Sequence, residues 1–487
     1  MRLNSKQICE YTGGSYLVEP IDQAELAFGI SWDSRDIRKG DVYVALPGER
    51  VDGHAFIDDA LRAGARMVLL TDKPENSTML LAEEMGAALI EVSNPFSAII
   101  DIARAWRAVL KGHVVAITGS SGKTTTKNLV RDVLKQKFSV VSTIGNQNNE
   151  LGVPKTLLSA EINTQVVVVE MGMRGLGQIK ELCEFVNPDM GLITNVGEGH
   201  IELLGSRENI ARAKAELFCA LPNGVGTAFM NRSDDFASFV VNEAQLEKCY
   251  VNLYWYDGSS EEASRSDATD EDRYGQLGAW ASEVSLDKQG FPNFTLHIGS
   301  EARPCFVPLQ GEHNVHNACA AASVGAALGM DIDLIVEGLE HAEPEVGRQE
   351  LLSSREGALV INDSYNANPD SMRAALLMFS SIEVSGRRIA VLGDMGELGD
   401  FAEACHRGIG SLAATLPLDR LLCIGELSVH IAEAAQEAGM DSDKIVTLHT
   451  ISEVLVDLED YMLPDDAVLV KASRFMGLER VVGGLLN

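Results

Sequence analysis

Four apolar residues run unbroken from Val114 to Ile117, a polar, glycine-bearing stretch follows from Thr118 to Thr125, and apolar positions return as Leu129, Val130, Val133 and Leu134. An unbroken run predicts a strand buried on both faces, and a return at every third or fourth position predicts an amphipathic helix packed against it. The pattern recurs downstream. Residues 166–170 and 191–194 predict two more buried strands, and 358–362, 388–392, 420–424 and 467–471 predict a further set, with helical stretches between them. Near the N-terminus, Gly40–Leu46 predicts a turn and strand, Ala55–Ala63 a helix and Arg66–Leu70 another strand. Alternation of this kind is the pattern of parallel sheets wrapped by helices.

The turn after the first of these strands carries chemistry. Gly119 and Gly122 have no Cβ to block a phosphate, so main-chain N–H groups of Gly119-Ser120-Ser121-Gly122 can converge on one. Lys123 and Thr124 open the helix and add an ammonium, a magnesium-binding hydroxyl and the positive helix end at the same point. Thr118, Gly119, Ser120, Ser121, Gly122, Lys123, Thr124 and Thr125 therefore read as a nucleoside triphosphate site, although Ile117 stands where the usual pattern begins with glycine.

The expected fold class is α/β in three domains. A small N-terminal α/β unit covers 1–111, a central parallel sheet like that of P-loop ATPases, with helices on both faces, covers 112–345, and a Rossmann-like α/β unit covers 346–487. At 487 residues the chain is too long for one core. Ala342-Glu343-Pro344-Glu345-Val346-Gly347 reads as a linker, and the polar, acidic stretch 257–275 as a surface loop between strands.

Three further positions belong with the phosphate loop. Glu170 ends a run of four valines at a strand's carboxyl end, where ligands gather in open α/β sheets, and can share Mg²⁺ with Thr124. A solvated strand-end glutamate is the plain alternative. His200 follows a second strand in Asn195-Val196-Gly197-Glu198-Gly199-His200; alone, such a histidine is as readily polar surface. Lys214 shares a helix face with Ile210, Leu217 and Phe218. An ammonium in an apolar stripe either snorkels to water or has a lowered pKa. A neutral amine can take up carbon dioxide as a carbamate, an anionic oxygen ligand for a second Mg²⁺; the sequence leaves both readings open.

Composition narrows the partners. The net charge of −31 disfavours nucleic acid and anionic membranes, while anionic substrates remain compatible where local cations and Mg²⁺ line the site. Mean hydropathy is +0.02, and the Ala/Gly-rich stretch Ala318–Met330 is too short to span a bilayer. The first residues carry no apolar signal-peptide core, so a cytoplasmic location is expected. Eight cysteines at 9, 183, 219, 249, 305, 319, 405 and 423 show no paired short spacing, which points to reduced thiols acting as small buried hydrophobes.

Several segments taken together resemble one family, the ATP-dependent Mur ligases of peptidoglycan synthesis. They are the phosphate loop, Asn146-Gln147-Asn148-Asn149 with Gly152-Val153-Pro154, Glu170-Met171-Gly172, and Ala213-Lys214-Ala215-Glu216. Gly311-Glu312-His313-Asn314-Val315-His316-Asn317-Ala318, Asp363-Ser364-Tyr365-Asn366-Ala367-Asn368-Pro369, Gly393-Asp394-Met395-Gly396-Glu397-Leu398-Gly399 and Lys471-Ala472-Ser473-Arg474 extend it across all three units. Ala472 stands where glycine is expected and Ser121 where asparagine is frequent; neither change removes a charged or coordinating group.

The resemblance implies ATP and two Mg²⁺ as cofactors, with Lys123, Lys214, His200 and Glu170 as catalytic residues and Thr124, Glu170, His200 and a carbamylated Lys214 as metal ligands. Asn314 would lie against adenine, and Arg348 and Asp363 would contact phosphate and ribose. The Tyr365–Pro369 segment is similar to that of members that join D-alanyl-D-alanine to UDP-N-acetylmuramoyl-tripeptide (UDP-MurNAc-tripeptide), which makes these the expected small-molecule substrates. On that likeness Ser34, Arg35 and Asn148, together with Tyr365, Asn366, Asn368, Lys471, Ser473 and Arg474, would bind substrate, the last three holding the dipeptide carboxylate. Asp33-Ser34-Arg35 and the segment 46–54 look like a nucleotide-sugar domain. A monomer is expected. The rival readings are a neighbouring ligase adding diaminopimelate, lysine or glutamate, and a nucleotide-binding regulator that does not ligate.

Overall fold

The computed structural model describes residues 1–48, 51–259 and 274–486. Most of the acidic stretch 257–275, and Glu49 and Arg50 of the 46–54 segment, therefore lie outside the described residues.

The N-terminal sheet has five strands in the order Ser15–Val18, Ala88–Glu91, Met67–Leu70, Val42–Val44 and Ile30–Ser31; only the first pairing is antiparallel. Helix Pro95–Val109 leaves this sheet for the next. Its start is set by Asn94, whose side chain accepts from Ser97 N at 3.1 Å, and by proline in the first turn. Its apolar face, Ala98, Ile99, Ile102, Ala103 and Trp106, is buried, and Trp106 Nε1 donates to Ala160 O at 3.0 Å in the central unit.

The central sheet has nine strands, ordered Glu301–Phe306, Pro292–Ile298, Gln276–Leu286, Asn252–Asp257, Thr227–Asn231, Met190–Ile193, His113–Thr118, Val166–Glu170 and Val140–Ser142. The strands expected from unbroken apolar runs are all parallel and central. The first two pairings in that order are antiparallel, which the expectation of a purely parallel sheet did not include. The physical reason is visible in Pro292–Ile298, whose burial alternates along the strand as in a sheet that is wet on one face. Helix Lys123–Lys135 buries Leu129, Val130, Val133 and Leu134 against the sheet, and the Glu170–Ile117 pairing sets Glu170 beside the start of the phosphate loop.

The C-terminal sheet runs Glu350–Ser353, Leu359–Asp363, Ala467–Lys471, Arg388–Gly393, Arg420–Ile424 and Ile445–Leu448, parallel except for its first pairing. Its core is Val360, Ile389, Val391, Leu422, Val468 and Val470. All eight cysteines are free, but only Cys183, Cys305, Cys319 and Cys423 are buried; Cys219 is exposed, so the buried-hydrophobe reading fails there. Cys219 ends helix Arg207–Cys219, beyond the face that Leu217 and Phe218 bury. Among the described residues, no helix is long and apolar enough to cross a membrane.

Candidate functional site

The phosphate loop is held open by contacts to the neighbouring strand end. Ser120 N donates to Asn195 O at 3.1 Å and Ser121 N to Asn195 Oδ1 at 3.0 Å, while Thr194 Oγ1 donates to Ser121 O at 2.7 Å. Only glycine fits at 119, because a Cβ there would lie 1.8 Å from Thr194 Oγ1. Gly122, at φ +73°, turns the chain into helix Lys123–Lys135. Lys123 Nζ folds back to donate to Gly119 O at 2.7 Å. Burial lowers the Lys123 pKa, Glu170 opposes that shift, and Arg348 adds to it.

Glu170 is 1% exposed. Its Oε1 accepts from Asn148 Nδ2 at 2.8 Å and from Thr124 Oγ1 at 3.3 Å, and its Oε2 is buried with no partner. A carboxylate oxygen left unpaired inside a protein is costly unless something else meets it. An orphaned oxygen beside a threonine hydroxyl is a donor set that suits Mg²⁺, which keeps most of its shell as water and phosphate oxygens. Among the described residues, no three His, Cys, Asp or Glu side chains converge as a metal cage. The donors that fit Mg²⁺ are therefore few and leave room for substrate oxygens.

Lys214 is 1% exposed, which removes the snorkelling alternative. Its pKa is lowered well below the ordinary lysine value, first by burial and then by the Lys123 charge, with Asp234 and Asp370 pulling the other way. Lys123, Thr124, Glu170 and His200 line a cleft of about 1370 Å³, and Lys214 does not. His200, at φ 65°, has Nδ1 2.5 Å from Glu397 Oε2, a charge contact rather than an aligned hydrogen bond. Contact with His200 holds the Glu397 carboxyl below its ordinary range, assisted by the charges of His200 and Arg174 and opposed by burial.

The C-terminal residues reach the same cleft. Lys471 Nζ pairs with Asp363 Oδ2 at 2.6 Å and donates to Asn366 O at 3.1 Å, so these two expected ligands form one buried pair. Ser473 Oγ donates to Ala367 O at 3.0 Å and accepts from Gly396 N at 2.8 Å. The Arg348 guanidinium stands 4.3 Å from the Tyr365 ring centroid with its Nε buried and unpartnered, and the Arg474 guanidinium lies 5.5 Å from the same ring. Asn368 Nδ2 donates to Ser120 O at 3.3 Å, so the C-terminal unit touches the phosphate loop directly. Asn314 lines the cleft but its amide is engaged, donating to Gln310 O at 2.7 Å and accepting from Asn317 Nδ2 at 2.9 Å.

Ser34 and Arg35 are not among the cleft-lining residues. They sit in a single turn capped by Asp33, whose carboxyl the Arg35 guanidinium holds down to about 2. Sequence alone gives Glu397, Asn195, Asp370 and Arg174 no role. Glu397 stood within a quoted motif and Asn195 at a predicted strand end, but their partners are distant along the chain. His313, half-buried in the cleft wall and pushed down to about 4 by desolvation, has likewise no role that sequence alone gives it.

The sequence of this cleft has relatives. Residues 28–107 match the Mur ligase family catalytic domain, 117–325 the Mur ligase middle domain, and 347–474 the Mur ligase glutamate ligase domain. The chain belongs to the Mur ligase family. It is 34% identical over 486 residues to the UDP-N-acetylmuramoyl-tripeptide–D-alanyl-D-alanine ligase of Bacillus subtilis, covering 99% of this chain and 98% of that one. It is 32% identical to the ligase of the same name from Escherichia coli K12, covering 94% of this chain and 93% of that one. Among solved structures, MurF from Acinetobacter baumannii superposes with a TM-score of 0.83 at 31% identity, covering 100% of this chain and 99% of that one. The MurF ligase of Thermotoga maritima in complex with ADP superposes at 0.75 with 27% identity, covering 94% and 96%. This Mur ligase therefore shares both sequence and three-unit architecture with those enzymes along nearly its whole length.

Proposed function

We infer that this Mur ligase joins D-alanyl-D-alanine to UDP-MurNAc-tripeptide at the cost of ATP, giving the UDP-MurNAc-pentapeptide, ADP and phosphate. The observation that carries the reading is the orphaned Glu170 Oε2 beside Thr124 at the phosphate loop, in a cleft lined by the central and C-terminal units together with Ile100 and Arg104 of the helix that leaves the N-terminal sheet. Residues 1–111 hold the nucleotide sugar, 112–345 the ATP and 346–487 the dipeptide. ATP and a nucleotide sugar as substrates suit a cytoplasmic enzyme, working here as a single chain.

The tripeptide carboxylate is a poor electrophile. One of its oxygens attacks the γ-phosphorus, the bond to the β-phosphate oxygen breaks, and ADP leaves an acyl phosphate behind. The neutral amine of D-alanyl-D-alanine then attacks the acyl carbon, loses a proton, and expels phosphate. In the first step two anions must meet, so charge compensation dominates the barrier. Lys123, once released from Gly119 O, and the first-turn amides of helix Lys123–Lys135 bind the β- and γ-phosphates, since Asn195 already takes the Ser120 and Ser121 N–H groups; Arg348, with its unpaired Nε, supplies a further cation from the linker. Thr124 and Glu170 would hold one Mg²⁺; His200 would hold a second, joined by Lys214 only as a carbamate, since the amine itself does not line the cleft. Bound there, the ions would neutralise phosphate charge and bring the carboxylate near it. Burial favours the neutral Lys214 amine, the form that adds to carbon dioxide with loss of a proton. Arg474 offers an exposed guanidinium to the dipeptide carboxylate, and filling of the cleft by substrates would keep water from the acyl phosphate.

Phosphate release by the purified enzyme tests the reading. D-Alanyl-D-alanine with UDP-MurNAc-tripeptide should support turnover while diaminopimelate, lysine and glutamate do not. With ¹⁸O in the tripeptide carboxylate, one labelled oxygen should appear in the released phosphate. Preference for a single amino acid would assign the chain to a neighbouring ligase, and unlabelled phosphate would exclude the acyl phosphate.

A further inference from the structure

Two turns from different sheets meet at one carboxylate. Glu397, in the turn after strand Arg388–Gly393, places Oε2 2.5 Å from His200 Nδ1 and Oε1 3.3 Å from Arg174 Nε, both in the central unit. The main chain supports the same contact: Glu202 N donates to Glu397 O at 3.3 Å, and a Cβ on Gly399 would lie 2.7 Å from Glu202 Cγ. His200 and Glu397 both hold left-handed backbone, at φ 65° and 61°, which residues with a Cβ adopt only when their surroundings impose it. The Arg174 side chain is 73% exposed, so its ion pair contributes little; the His200 side chain is 25% exposed and lines the cleft.

We propose that Glu397 is a positioning residue of the ligase: docked on His200, it keeps the imidazole proton on Nδ1 and leaves Nε2 as the nitrogen offered to the cleft. The proposal rests on the ligase reading above. At 2.5 Å from Nδ1, though off the line of an ideal hydrogen bond, the carboxylate repels a lone pair on that nitrogen, so it favours the proton on Nδ1 and leaves the Nε2 lone pair for whatever binds there. Because the carboxylate comes from the C-terminal unit, the central site is complete only with that unit docked on it.

Nitrogen-15 spectra of histidine-labelled, ligand-free full-length protein read the tautomer directly, with His200→Gln identifying the resonances. Native enzyme should show His200 protonated at Nδ1, and Glu397→Ala should shift the proton to Nε2. In Glu397→Ala, kcat should fall about 10- to 100-fold, with KM for ATP within about threefold of native. Glu397→Gln keeps an acceptor oxygen of the same reach, so it should retain the native tautomer and recover most of kcat, which also controls for misfolding. A native His200 spectrum in Glu397→Ala overturns the proposal, and so does a kcat within about twofold of native. Were native enzyme silent toward D-alanyl-D-alanine, the ligase reading would fall, while the spectra would still decide the His200–Glu397 contact.

Discussion

Burial and the Lys123 charge disfavour the Lys214 ammonium more than Asp234 and Asp370 support it, and this has consequences for both stability and chemistry. Its pKa is lowered well below 10.5, chiefly by burial. Between the lowered value and the ordinary one, the unfolded chain binds a proton that the folded chain has released, so stability rises with pH across that window. Lys214→Met should flatten the rise of the urea midpoint with pH in carbon dioxide-free buffer; an unaltered slope would mean that the folded amine stays protonated. Catalysis gives the second readout. Lys214→Ala should lower kcat by about 100-fold, and short carboxylic acids should restore part of it by supplying the missing oxygen ligand. Full activity in that variant would remove the carbamate.

The phosphate loop shows how an element can be tuned by one absent methyl group. A Cβ at residue 119 would lie 1.8 Å from Thr194 Oγ1 and 3.0 Å from Thr194 Cβ, and rotating Thr194 away would break its 2.7 Å bond to Ser121 O. Gly119→Ala should therefore destabilise the enzyme by about 1–3 kcal/mol and weaken ATP binding at least about tenfold, measured by thermal unfolding and by nucleotide titration. Native-like affinity would show that the loop repacks freely. Such elements were legible in the sequence because their signals are local: a buried run, a glycine turn and an amphipathic helix adjoin within a few tens of residues. Val166–Glu170 and Arg388–Gly393 were legible for the same reason. The antiparallel edge around 276–306 was not, since its alternation is weak beside the valine-rich strands. Nor could spacing place Glu397 against His200 or join Lys471 to Asp363, because those contacts depend on how sheets and turns far apart in the chain come together. Ser34 and Arg35 show the converse: a recognisable motif whose side chains stand apart from the cleft.

At the scale of the whole molecule, the three units are continuous in their packing and separable in their contacts to the cleft. One apolar cluster includes Trp106 from the first unit, Val167 and Leu217 from the second, and Met372 and Leu392 from the third. The third unit packs on the second through a narrow point at Gly197. A Cβ there would fall 1.8 Å from Asp370 Oδ2, and Asp370 already accepts from Glu198 N at 2.8 Å. Asp370 is short and lies in the first turn of helix Pro369–Ser381, so it can yield only by giving up that bond or by moving the helix. Gly197→Ala should hold the C-terminal unit away from the phosphate loop. Small-angle scattering with an ATP analogue should then report a larger radius of gyration than native, and kcat should drop by about 5- to 150-fold, the range of a 1–3 kcal/mol coupling. Removing the obstructing carboxylate separates this from local damage to the loop: the Gly197→Ala, Asp370→Ala double variant should regain compactness and run faster than Gly197→Ala alone. If Gly197→Ala scatters like native enzyme, the approach of Asp370 is not what limits closure, and the link between docking and catalysis must lie at the Asn368–Ser120 or Glu397–His200 contact instead.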